Sequence, residues 1–135
     1  MGKILVVEEE EIIRGLIRVI LESAGYVVVE AGNGEAGFQM ARRVNPEALV
    51  LDCMGYRSDG IAVLKRLRGD SKTAHLPVLA LCGLGQTGAD VGLWANAVVV
   101  KPFRPAQLLL KMEMMMSAKA ERNRLTEFVG QSALA

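Results

Sequence analysis

The chain has 135 residues, 51% hydrophobic and 23% charged, long enough to bury one core and too apolar for the disordered class. Sixteen Lys and Arg against fifteen Asp and Glu leave a net charge of +1, so no electrostatic pull toward nucleic acid or an anionic membrane is expected. The apolar run at residues 4–7 is too short for a signal-peptide core and no stretch approaches membrane-spanning length, which makes a cytoplasmic location the expectation. Cys53, Cys82 and His75 lack metal-ligand spacing, which argues against structural zinc.

The first strand is read at Lys3-Ile4-Leu5-Val6-Val7 and runs into four glutamates, Glu8 to Glu11. Ile13, Leu16, Ile17, Ile20, Leu21 and Ala24 then recur at helical spacing, and Gly25 is the expected C-terminal cap. A second strand follows at residues 26–31, and Gly32-Asn33-Gly34 turns into a second helix at 35–44, with Ala36, Phe38, Met40, Ala41 and Val44 as its buried positions. After Pro46, the apolar run Ala48-Leu49-Val50-Leu51 reads as the central strand of a parallel sheet and ends at Asp52. Asp59 is a candidate N-cap for a third helix at 61–68. Pro77 precedes a fourth strand at 78–81. Glycines 83, 85, 88 and 92 leave room only for a short fourth helix, 89–95, since each costs about 1 kcal/mol inside a helix. A fifth strand at 98–100 delivers Lys101-Pro102. Pro105 opens a last helix with Leu108, Leu109, Met112, Met115 and Met116 on its packing side, continuing toward Phe128.

Five strands alternating with helices predict an α/β fold with one parallel sheet covered on both faces. In such sheets chemistry sits beyond the carboxyl ends of the strands. That places an acid cluster, a lone aspartate and a lysine at three converging strand ends. The bland alternatives are that Glu8 to Glu11 merely open a helix, where acids suit the macrodipole, and that Cys53 and Cys82 are small core residues rather than a redox pair. A flavin-binding relative of this architecture would want a phosphate loop where the glutamates stand. An aspartyl phosphatase would carry Asp-x-Asp after the first strand. Neither pattern is present, so an enzyme is not expected.

Lys3-Ile-Leu-Val-Val-Glu-Glu-Glu-Glu, Val50-Leu-Asp52, Asp59-Gly60, Leu76-Pro77-Val78 and Lys101-Pro102-Phe103, in that order, resemble the receiver domain of two-component response regulators. The resemblance implies a doubly wound, flavodoxin-like sheet of order 2-1-3-4-5, with the receiver over residues 1–118 and a helical extension over 119–135. It further implies phosphoryl transfer from a histidine kinase or phosphotransfer protein to Asp52. On the same ground Glu8, Glu9, Asp52 and the backbone carbonyl of Met54 are Mg²⁺ ligands, and Lys101 contacts the acyl phosphate. Output is expected through a downstream protein or a homodimer built on the last helix, without direct nucleic-acid or membrane binding.

The chain departs from the family pattern at five places. Glu9 stands where the family nearly always has Asp, one methylene too long for a cation with rigid ligand distances. Cys82 replaces the Thr or Ser whose hydroxyl contacts the phosphoryl group, and a thiol is a weak donor. Val98 replaces the switch aromatic, and Tyr56 a loop proline. The segment between Cys82 and Lys101 is also a few residues short. These losses raise the alternative of a pseudo-receiver, an interaction module whose binding ignores phosphate.

Overall fold

The computed structural model describes residues 2–53, 60–83 and 91–134, with side chains to residue 130. The elements are β1 (Lys3–Val7), α1 (Glu11–Ser23), β2 (Val27–Ala31), α2 (Gly34–Val44), β3 (Ala48–Asp52), α3 (Gly60–Gly69), β4 (Val78–Cys82), β5 (Ala97–Val100) and α4 (Pro105–Leu134). All strand pairs are parallel, in the order β2-β1-β3-β4-β5. The doubly wound fold expected from the sequence is the fold observed. The expectations placed on Met54, Tyr56 and Asp59, and the first part of the short helix at 89–95, lie outside the described residues.

Strand alternation sorts the core into two layers. Leu5, Val7, Leu49, Leu51, Val78 and Ala80 face α2 and α3. Ile4, Val6, Val50, Leu79 and Leu81 face α1 and α4. β3 and β4 are buried at every position, as strands with both faces covered must be.

Helix α1 buries Ile17, Ile20 and Leu21. Leu16, which the periodicity assigns to the same face, is 53% exposed. It instead continues an outward stripe with Ile12 and Val19, because with Ile17, Ile20 and Leu21 turned to the sheet position 16 falls at the edge of the apolar arc. Gly25 adopts φ 93° and its N–H donates to the Glu22 carbonyl at 2.9 Å, the left-handed turn that glycine permits after a helix. In α2 the Asn33 side chain accepts from the Ala36 N–H at 2.8 Å, a true N-cap. Gly34, Gly37, Phe38 and Ala41 are buried there, whereas Ala36, Met40 and Val44 are half-buried. The sequence pattern favoured larger side chains over Gly37, which lets α2 approach β1 at Val7, and Gly34, which lies against Val63 of α3.

Ahead of β5, residues 91–92 are helical and the Trp94 and Ala95 N–H groups donate to the Val91 carbonyl. Helix α4 buries Leu108, Met112 and Met115 against the sheet. Its 30 residues extend about 45 Å. Residues 121–130 are exposed, Leu125, Phe128 and Val129 among them. Among the described residues no helix is long and apolar enough to cross a membrane.

Candidate functional site

Three strand ends meet at one point. Glu8 follows β1 directly, and its N–H continues the ladder to the Ala31 carbonyl at 3.1 Å. Asp52 ends β3, in register with Leu81. Lys101 follows β5, and its N–H donates to the Cys82 carbonyl at 2.7 Å. The backbone thus fixes where each side chain starts, and the shared twist of the sheet aims them together.

Glu8 and Asp52 are buried, at 2% and 5% exposure. Lys101 Nζ lies 3.2 Å from Asp52 Oδ1 and 3.3 Å from Glu8 Oε2. Glu8 Oε1 also accepts from the Glu10 N–H at 3.3 Å. Among the described residues one ammonium therefore serves two buried carboxylates. Burial, then the charge of Asp52 and a hydrogen bond shared with it, push the Glu8 carboxyl up to about 7; Lys101 and the Glu10 N–H pull the other way. Two acids forced together in a low-dielectric site cannot both ionise without a further cation.

Glu9 is half-buried. With Glu8, Asp52 and Asn33 it lines a cavity of about 10 Å³, room for a single water-sized particle. Among the described residues no three His, Cys, Asp or Glu side chains converge as a ready metal cage. Mg²⁺ needs no such cage, since it is ordinarily held by one or two carboxylates and keeps its waters. The hard oxygens of Glu8 and Asp52 beside an ion-sized cavity suit it.

Cys82 ends β4, between Asp52 and Lys101, and is buried in the α2–α3 layer with Cys53. Burial foremost, then the charge of Asp52, push its thiol pKa up, against the opposite pull of a Cys53 contact. A thiol held protonated is a donor, though a weak one. The two cysteines are thiols, not joined in a disulfide. Val98 is half-buried on the same layer of the sheet, opposite Ala80.

Two supports emerge only from the fold, although Gly60 belongs to the Asp59-Gly60 pair of the family resemblance. Arg14 Nη1 donates to the Glu8 carbonyl at 2.9 Å while its Nε pairs with Glu30 at 3.2 Å, holding the β1 end from α1. Gly60 presses against the end of β3: a Cβ there would sit 2.6 Å from the Cys53 Cα. Only glycine lets α3 begin so close to Asp52.

The family model of the response regulator receiver domain matches residues 4–113. The transcriptional regulator RpaA of Synechocystis sp., described as a DNA-binding dual master regulator, is 37% identical over 83% of this chain and 48% of its own length. The phosphate regulon regulator PhoB of Pseudomonas aeruginosa is 34% identical over 84% of this chain and 51% of its own. The chain thus spans about half the length of these curated relatives. A crystal structure of a putative response regulator from Chloroflexus aurantiacus superposes with a TM-score of 0.79 at 28% identity, covering 86% of this chain and 98% of the other. With sheet order, strand-end charges and family match in agreement, the chain belongs to the response regulator receiver domains of two-component signalling.

Proposed function

We propose that this receiver domain accepts a phosphoryl group on Asp52 from a phosphohistidine of a partner protein. The observation that carries this reading is Lys101 bridging Asp52 and Glu8 across three strand ends. A carboxylate at the tip of a buried strand is a competent nucleophile when its own charge and the incoming charge are both countered. An Asp52 oxygen forms the new bond to phosphorus as the phosphorus–nitrogen bond to the donor imidazole breaks, and the leaving nitrogen recovers a proton. Lys101, already within 3.2 Å of Asp52 Oδ1, is positioned to follow the charge onto the acyl phosphate.

Mg²⁺, held by Glu8 and Asp52 with Glu9 at the cavity rim and the Met54 carbonyl as the remaining protein ligand, would neutralise phosphoryl oxygens and the excess of acid. Cys82 stands beside the phosphoryl position as a weak donor in place of a hydroxyl. A hydrogen bond to a charged group is worth about 1.5–3 kcal/mol, so the product is held less tightly than a hydroxyl would hold it. Val98 occupies the switch position without an aromatic ring.

The donor protein docks on α1. Ile12, Leu16 and Val19 form an exposed apolar stripe there, beginning at the helix end nearest Glu8, which puts a partner's histidine within reach of Asp52. Output runs through protein contacts. Incubation with Mg²⁺ and acetyl phosphate, followed by intact mass, is expected to show one phosphoryl adduct, lost in Asp52→Asn. No adduct on the folded wild type would overturn the reading.

A further inference from the structure

At the end of the sheet opposite Asp52, beneath the starts of β4 and β5, a cavity of about 430 Å³ opens between the 74–75 loop, the 93–96 turn and α4. That volume is in the range of small-ligand sites. Its basic side chains are Arg68, His75 and Arg122, and among the described residues no acidic side chain lines it.

Arg68 is built in. Its Nε donates to the Trp94 carbonyl at 2.9 Å, Nη1 to the carbonyls of Ala74 at 3.2 Å and Leu76 at 2.6 Å, and Nη2 to Asn96 Oδ1 at 2.8 Å. All four acceptors are neutral. Arg14, Arg18, Arg42, Arg66 and Arg124 each pair with a carboxylate. Arg68 and Arg122, like Arg43 and Arg104, pair with none among the described residues. Burial lowers the Arg68 pKa, as it does for a cation held out of water. A concave wall of uncompensated positive charge concentrates anions.

We propose that this cavity binds a small phosphate-bearing anion, with Arg122 and His75 in contact and Arg68 as the fixed charge in its wall. Guanidinium groups suit this ligand because their planar donor fork matches phosphate oxygens. The site is remote from Asp52 and does not depend on phosphoryl transfer there.

Trp94, the chain's single tryptophan, lines the cavity and supplies the readout. Its fluorescence would be titrated with inorganic pyrophosphate and with ATP at constant ionic strength, against sodium chloride as control. A saturable change is expected that weakens about tenfold or more in the double variant Arg122→Ala, His75→Ala and is unaltered in Arg43→Ala, an exposed arginine on α2. Both altered side chains are exposed, and thermal melts verify that the variants fold. Saturation by both probes supports phosphate recognition alone, and saturation by ATP only supports it with a nucleotide as the source. No saturable change with either probe, equal binding in the double variant, or a response matched by chloride would overturn the proposal.

Discussion

The two ends of the sheet handle charge in opposite ways. Above the carboxyl ends, Glu8 and Asp52 crowd onto one ammonium, and the surplus is negative. Beneath the amino ends, Arg68 is gripped by carbonyl and amide oxygens, and the surplus is positive. Hydrogen bonds to neutral acceptors fix a guanidinium in place and leave its charge intact; a shared ammonium satisfies two carboxylates geometrically and leaves one electron charge uncancelled. The first arrangement makes a rigid pin, and the second makes a site that takes up a proton or a cation.

The largest expected effect falls on the upper end. Asp52→Asn keeps the shape and removes the nucleophile, so phosphoryl incorporation from acetyl phosphate should vanish while the thermal midpoint stays near or above wild type. Intact mass and differential scanning calorimetry check the two halves of that statement.

At the lower end, Arg68→Ala strands the carbonyls of Ala74, Leu76 and Trp94 and releases Asn96, whose Oδ1 also accepts from the Val78 N–H. With an unmet buried acceptor costing about 1–3 kcal/mol, and water reaching part of this set, a loss of about 3 kcal/mol in urea unfolding is expected. Arg68→Lys should recover little, because one ammonium cannot span the same acceptors.

The comparison sharpens further with pH. In the folded chain the Glu8 carboxyl titrates at about 7, against 4.5 for an unperturbed glutamate. The folded state therefore holds a proton that the unfolded chain has already released. The stability this confers is complete below about 4.5 and is lost as pH rises through about 7, a decline on the order of 2 kcal/mol without metal. Urea midpoints in EDTA across that window should show the decline, Glu8→Gln should flatten it, and Mg²⁺ should flatten it in wild type by taking the proton's place. A slope indifferent to both changes would remove Glu8 as its source.

The smallest effect tests the cap that seats α2 beside the cavity. Asn33→Ala removes the acceptor of the Ala36 N–H and should cost about 1 kcal/mol, read in the same unfolding assay, with phosphoryl incorporation retained.

Much of this molecule is legible in its residue order. Continuous apolar runs at 4–7, 48–51 and 78–81 read as buried parallel strands because neither face of such a strand meets water. The charged residues that interrupt them, Glu8, Asp52 and Lys101, mark where the sheet ends. Strand identity and strand end together place the site before any contact is known. Periodicity served α1 and α2 less well: Leu16 lies outside, and Gly34 and Gly37 take contact positions that larger apolar neighbours were expected to hold. Helical spacing defines a face only to within one residue either side, and cannot tell how near the sheet will come.

By itself, then, the order of residues determined the strand count, the parallel sheet and the three charged residues at its rim, since each depends on local alternation of apolar and polar groups along a short span. Only the tertiary structure decided that one lysine serves two acids, that Arg14 and Gly60 hold the rim from neighbouring helices, and that Arg68 and Arg122 face one cavity with no carboxylate among its described lining. Those facts join residues far apart in the chain, and their energies arise from burial and charge at distances that exist only once the sheet has formed.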